Sequence, residues 1–176
     1  MYTPRKALRV NVGFIVHNEI GYEHDFPFDF EQLQVDDDLD LYQFKGHALF
    51  RRTPQGLLLQ GEFQAELITE CVRCLKPFHY VAHWQITELY AFTKNSITES
   101  GLLLPEDHHI DLAPLTRDYA LLEIPINPIC QPDCKGLCPV CGEDLNLYDC
   151  GHMPTSTHSP FAILRDLLSE DDENAS

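Results

Sequence analysis

Two Cys-x-x-Cys pairs constrain the fold of this 176-residue chain more than any other feature. The first is Cys71 with Cys74, and the second is Cys138 with Cys141. A turn of this kind presents two sulfur atoms to one metal ion, and Zn²⁺ prefers thiolate and imidazole ligands. Three more cysteines and a histidine lie near the second pair. The candidate ligands are Cys71, Cys74, Cys130, Cys134, Cys138, Cys141, Cys150 and His152. They predict one or two bound zinc ions.

The spacing of these ligands leaves their division between two sites open. In the favoured arrangement the two Cys-x-x-Cys pairs close one site, as in a zinc ribbon, and the other four ligands close a second. In the alternative, the C-terminal cluster closes its own site from Cys134, Cys138, Cys141 and Cys150. The first pair then joins Cys130 and His152, or remains as thiols.

Cysteine usage also distinguishes metal binding from disulfide and redox chemistry. The N-terminus has no apolar signal core, which predicts a cytoplasmic protein whose clustered cysteines stay reduced. Seven cysteines are an odd number, which disfavours a closed disulfide framework. Pro139 and Gly142 give the second pair the tight turn of a metal knuckle. A thiol redox switch that uses Cys71 and Cys74 is the alternative function.

The sequence contains no signature of catalysis. No Ser/His/Asp pattern, phosphate-binding glycine loop or His-Glu-x-x-His is present. Thiolate-rich zinc shells are usually closed and structural, whereas catalytic zinc keeps an open position. We therefore expect no enzymatic activity, and no small-molecule substrate is evident. No run approaches the ~20 apolar residues of a membrane span.

The distribution of charge indicates where a partner would bind. The net charge of −16 disfavours a nucleic-acid partner and favours a basic protein. Residues 45–94 are the exception, with six basic against four acidic side chains. If the protein contacts phosphate groups or another partner, we expect the contacts to come from this stretch. The candidate contact residues are Lys45, Arg51, Arg52, Arg73 and Lys76.

Hydrophobic periodicity predicts mainly β-structure in the first 91 residues. Alternating residues predict strands over 7–16, 41–50, 57–68 and 78–90, with a hairpin turn over 53–56. The first Cys-x-x-Cys pair then lies at the tip between the last two strands. Proline and clustered aspartates predict a loop over 25–38.

Two short helices are predicted after the strands. One begins at Asp111, as an N-cap, and has Leu112, Leu115, Tyr119 and Leu122 at helical spacing. The other covers residues 160–168. These elements predict an α+β fold with a mainly antiparallel, open barrel-like sheet and a C-terminal zinc-ribbon-like cysteine cluster. The expected domains are a β-rich domain over 1–125, a zinc-binding segment with its helix over 126–168, and a disordered acidic tail over 169–176.

Several of these motifs resemble the YceD family. The resemblance rests on Cys71-Val-Arg-Cys74-Leu75, on Asp111-Leu112, and above all on the string Cys134-Lys-Gly-Leu-Cys138-Pro-Val-Cys141-Gly142 with Leu145-Asn146. It covers roughly residues 40–168 and includes Ser159-Pro-Phe-Ala-Ile-Leu164. The Cys-x-Cys ending of the family is replaced here by Cys150-Gly-His152.

The resemblance implies a function. Members of this family are described as large ribosomal RNA subunit accumulation proteins, and as predicted metal-binding proteins with a suggested nucleic-acid-binding role. It implies a bacterial cytoplasmic factor that supports accumulation of large-subunit (23S) ribosomal RNA in ribosome biogenesis, with no assigned catalytic activity. The expected partners are then ribosomal RNA or a basic ribosomal or assembly protein.

Overall fold

The computed structural model describes residues 7–36 and 39–152. The elements in chain order are β1 (Arg9–Asn11), α1 (Gly13–Val16), β2 (Glu23–Asp36), β3 (Leu39–Arg52), β4 (Gly56–Glu70), β5 (Pro77–Ala91), a 3₁₀ turn (Lys94–Ser96), β6 (His109–Asp111) and α2 (Ala113–Leu122). The predicted helix over 160–168 and the predicted tail over 169–176 lie outside the described residues.

An antiparallel sheet of four long strands dominates the fold. Its strand order is β2-β3-β4-β5, and β1 pairs with β6 in a separate two-stranded sheet. The α+β prediction is therefore confirmed. Within the described residues β2 and β5 are the edges of an open sheet, so the barrel does not close. Helix α2 contacts both edges: Arg117 pairs with Asp36 of β2 at 3.3 Å, and the Tyr119 hydroxyl donates to Glu88 of β5 at 3.0 Å.

The predicted β3, β4 and β5 are present and extend slightly beyond their expected bounds. The turn between β3 and β4 is closed by the N–H of Thr53, which donates to the carbonyl of Gly56 at 2.9 Å. Strands β4 and β5 pair continuously from Gly56 with Ala91 to Glu70 with Pro77. The first Cys-x-x-Cys pair accordingly lies in the turn that joins them.

Aromatic side chains fill the buried face of the sheet. Phe28, Phe44, Phe63 and Trp84 lie within 6.4 Å of a neighbouring ring centroid and are at most 9% exposed. A Cβ atom on Gly46 would lie 2.5 Å from the Phe63 ring and 2.3 Å from the Glu62 carbonyl oxygen. A glycine is needed there because the ring takes the space of its side chain.

The loop predicted over 25–38 is wrong as far as residue 36, because β2 occupies residues 23–36. Phe26, Phe28 and Phe30 alternate with exposed residues, and this period of two buries Phe28 and half-buries the other two. Pro27 is compatible with β2 because an edge strand has one side that makes no ladder hydrogen bonds.

The single strand predicted over 7–16 is also wrong in its second half. β1 ends at Asn11, and Gly13–Val16 form a short helix. The Asn11 side-chain oxygen accepts from the Gly13 N–H at 2.9 Å, which favours the change of direction. Val12 and Ile15 are fully buried, and burial at this spacing fits a helical turn better than a strand.

Helix α2 confirms the helix predicted after Asp111, with two changes. It begins at Ala113, whose N–H donates to the Asp111 side chain at 2.9 Å. Its fully buried positions are Thr116 and Ala120, whereas Leu122 is 79% exposed. The buried face is therefore rotated from the one that the leucines predicted.

The described contacts divide the chain into two compact units. Among the described residues, the first comprises 7–36, 39–71 and 76–130, and the second comprises 72–75 and 131–152. The apolar core of buried residues lies entirely in the first unit. No helix in the described ranges is long and apolar enough to cross a membrane.

Candidate metal centres

The structure brings the eight predicted ligands into two groups. Cys71, Cys74, Cys130 and Cys134 form the first group, and Cys138, Cys141, Cys150 and His152 form the second. In each group the ligand atoms all lie within 4.8 Å of one another. Both arrangements derived from the sequence are therefore wrong, because Cys130 and Cys134 together join the first pair. The zinc-ribbon pairing of the two Cys-x-x-Cys motifs is not observed.

The first pair is held by the turn between β4 and β5. The Cys71 N–H donates to the Lys76 carbonyl at 3.0 Å, and Leu75 has a left-handed φ of +57°. Cys71 is fully buried and Cys74 is 4% exposed. This turn directs both sulfur atoms away from solvent.

Cys134 is positioned by side chains that the metal prediction did not include. The Arg73 guanidinium donates to the Cys134 carbonyl at 2.8 Å, and the Asn146 amide donates to its Sγ at 3.5 Å. The Leu137 N–H donates to the Arg73 carbonyl at 3.0 Å. Gly136 has φ of +79°, and a Cβ there would lie 2.9 Å from the Arg73 oxygen. Asn146 is one of the residues that carry the family resemblance, but its contact with Cys134 was not predicted.

The second group is built on a tight turn at Cys138. The Val140 N–H donates to Cys138 Sγ at 3.4 Å, and the Gly142 N–H donates to the Cys138 carbonyl at 2.9 Å. This is the turn that Pro139 and Gly142 predicted. Cys138 is 3% exposed, Cys150 is half-buried, and Cys141 and His152 are exposed. The second group therefore has more contact with solvent than the first.

Hydrogen bonding separates the acidities of two thiols in the second group. The backbone N–H groups of Cys141 and Val140 lower the pKa of Cys138 to about 6. The N–H of His152 acts to lower the pKa of Cys150, but burial, hydrogen bonds to Cys138 and Cys141, and the charge of Cys138 together raise it. Hydrogen bonds to the ionised form of Cys138 favour the thiolate that metal ligation requires.

The dimensions of both groups suit a tetrahedral metal ion. A Zn–S bond of about 2.3 Å in a tetrahedral shell separates two sulfur atoms by about 3.8 Å. The ligand atoms of each group lie at most 4.8 Å apart. Small changes of side-chain rotamer would bring them to the separation that a tetrahedral shell requires. Each group could thus hold one metal ion with four protein ligands.

The five basic residues predicted to contact a partner differ in their exposure and in their contacts. Lys45 and Lys76 are exposed, and Arg51 pairs with Glu23 at 2.6 Å. Arg52 donates to the Val16 carbonyl at 2.9 Å and lies 4.5 Å from the Phe92 ring centroid. Arg52 and Arg73 therefore have internal structural roles.

Comparison with known proteins agrees with the cysteine pattern. The family model described as "Large ribosomal RNA subunit accumulation protein YceD" matches residues 59–168. That is more than half of the chain. The chain belongs to the YceD family.

Relatives of this YceD-family chain occur in bacteria and plants. An uncharacterized protein of Mycobacterium tuberculosis is 33% identical over 123 residues, which cover 68% of the chain and 59% of the relative. The protein YlbN of Bacillus subtilis is 29% identical over 111 residues, or 62% of the chain and 64% of the relative. The chain thus spans about three fifths of the length of these curated relatives.

A plant relative has a name that describes a role. The Arabidopsis thaliana protein is named "Large ribosomal RNA subunit accumulation protein YCED homolog 1, chloroplastic" and is 38% identical over 69 residues. These cover 38% of the chain and 22% of the relative. No solved structure matches the chain significantly.

Proposed function

We propose that this YceD-family protein is a non-enzymatic, zinc-binding factor of the bacterial cytoplasm that supports accumulation of large-subunit ribosomal RNA. It would act by binding the RNA or a ribosomal assembly protein. The observation that carries the proposal is the family match over residues 59–168, since the family description names this role.

Zinc is the metal that the donor sets favour. Seven thiolates and one imidazole are soft to borderline ligands, whereas Mg²⁺ and Ca²⁺ require oxygen. Four protein ligands complete a tetrahedral shell in each group, which supports a structural and not a catalytic role. Bound zinc would fix the positions of the chain segments that supply its ligands.

Depletion of the protein in a bacterium that encodes it tests the proposed role. We expect the ratio of large-subunit to small-subunit ribosomal RNA to fall, and expression of the wild-type chain to restore it. The Cys138→Ser variant should restore the ratio less well than Val140→Ser, an exposed change in the same turn. An unchanged ratio after depletion would contradict the proposal.

Metal content separates this function from a thiol redox switch. The proposal expects two zinc ions per purified chain by elemental analysis. The redox-switch hypothesis predicts that the purified protein contains no metal and that Cys71 and Cys74 oxidise reversibly to a disulfide. The proximity of Cys130 and Cys134 to this pair supports a metal shell, because a redox switch needs only two thiols.

A further inference from the structure

The exposed face of the four-stranded sheet contains a polar pocket of about 690 Å³ in the first unit. Two cross-strand rows of exposed side chains line it. One row is Lys45, Gln64 and His83, and the other is His47, Glu62 and Gln85. Glu123, at the end of α2, adds a second carboxylate. We call this pocket the sheet slot.

The spacing of the rows suits a flat group. Same-face residues two apart along a strand are separated by about 6.6–6.8 Å. This is about twice the spacing of stacked planar groups, roughly 3.4 Å as in nucleic acids. Gly46, Phe63 and Trp84 lie between the rows, with the two aromatic side chains buried. The gap therefore accommodates one planar group, inserted edge-on between the rows.

The chemistry of the sheet slot favours a cationic guest. Within the described chain, Glu62 and Glu123 form no ion pair. Glu62 Oε1 accepts from the Gln85 amide at 3.3 Å, so its second oxygen can accept from a guest. The charge of Lys45 is offset because Asp29 stands opposite it on β2. The amide oxygens of Gln64 and Gln85 can act as further acceptors.

We propose that the sheet slot receives an arginine side chain from a Lys/Arg-rich protein segment. A guanidinium group is planar, carries five donors and forms bidentate bonds with carboxylates. The net charge of −16 would attract such a segment and repel the phosphates of RNA. The inference rests on the proposed function, since ribosomal proteins are rich in lysine and arginine because they neutralise RNA phosphates.

Peptide binding tests the sheet slot. The probes are two 12-residue peptides of equal charge, one with arginine and one with lysine at alternate positions, measured by fluorescence anisotropy with the full chain. We expect the arginine peptide to bind more tightly. The double variant Glu62→Gln with Glu123→Gln should weaken binding of the arginine peptide about tenfold, so that it binds no more tightly than the lysine peptide.

The matched control removes the same charge elsewhere. Glu99→Gln with Glu106→Gln changes two exposed carboxylates outside the sheet slot and should weaken both peptides slightly and equally. Equal binding of the two wild-type peptides, or equal losses in the two double variants, would overturn the proposal. So would a single-stranded oligoribonucleotide that binds wild type but not the slot variant.

The outcomes for the sheet slot and for the proposed function can be told apart. The peptide measurement does not depend on ribosomal RNA levels, and the depletion experiment does not depend on any peptide. If the peptide test fails but depletion lowers the RNA ratio, only the sheet-slot proposal is contradicted. If the peptides bind as expected but the RNA ratio is unchanged, only the proposed function is contradicted.

Discussion

At the scale of single residues, the sequence predicted eight candidate ligands but did not predict how the structure groups them. Cysteine and histidine identities select the eight candidate ligands without any structure. Arg73 is one of the residues that contact Cys134: its guanidinium donates to the Cys134 carbonyl, and its own carbonyl accepts from the Leu137 N–H. Such a contact spans 61 residues of sequence and leaves no periodic pattern. The sequence instead favoured the two Cys-x-x-Cys pairs as one site, with Cys134 in the other.

Single ligand substitutions test whether the two groups are separate sites. We expect Cys74→Ser and Cys138→Ser each to bind one zinc ion per chain, against two in wild type, by elemental analysis. Val140→Ser, which changes an exposed non-ligand, should keep two. His152→Cys should also keep two, because a thiolate can replace an imidazole ligand. Loss of both ions from either serine variant would show that the groups are not independent.

Tyr90 should make the protein less stable at alkaline pH. Its hydroxyl is buried near Glu88 and Asp111, and burial first, then these charges, raises its pKa well above the usual 10. Below pH 10 the tyrosine is protonated in both states, so its contribution is intact. Above pH 10 the unfolded chain loses this proton before the folded one. The free energy of unfolding should then fall, by up to about 1.4 kcal/mol per pH unit.

Denaturant unfolding between pH 8.5 and 11 measures this effect. Tyr90→Phe should show a smaller fall than wild type, because phenylalanine does not ionise. Tyr148→Phe, a change at a ring that is 66% exposed, serves as the control and should follow wild type. Identical pH dependence in wild type and Tyr90→Phe would contradict the expectation.

At the scale of elements, prediction succeeded where one local signal dominated. β3, β4 and β5 have long alternating runs, and the Thr53–Gly56 turn connects two of them. β2 was missed because Pro27 and its aspartates resemble a loop, although phenylalanines alternate with them. Only the position of β2 at the sheet edge, which tertiary pairing decides, makes that proline acceptable. Local propensity was outweighed there by aromatic burial.

Gly46 tests how closely the sheet packs around Phe63. Gly46→Ala would place a Cβ 2.3 Å from the Glu62 carbonyl oxygen and 2.5 Å from the ring. The backbone or the ring must shift, which should lower the free energy of unfolding by about 1–3 kcal/mol. Gln60→Ala on the exposed face of β4 should change it by less than about 0.5 kcal/mol. Urea unfolding followed by Trp84 fluorescence measures both, and equal effects would contradict the packing argument.

At the scale of the whole molecule, the two units differ in what stabilises them. The first unit contains the whole described apolar core, from Leu8 to Ala120. In the described part of the second unit, the buried side chains are those of Cys74, Cys134 and Cys138, whereas Leu147 and Tyr148 are exposed. A segment without an apolar core needs another source of stability, and metal ligation is the one that its composition offers.

Removal of metal should therefore unfold the second unit and spare the first. A strong zinc chelator at pH 7 should abolish hydrogen-exchange protection of the Leu137 and Leu145 amides, which donate to Arg73 and Gly136. The Ala91 amide, bonded to the Leu102 carbonyl, should stay protected, and the fluorescence of Trp84, the sole tryptophan, should not change. Returning zinc should restore protection of these amides, because metal binding to the ligands is coupled to folding of the segment that supplies them. A shift of Trp84 fluorescence on chelation would show instead that the sheet depends on metal, since its aromatic core would then have loosened with the cysteine groups.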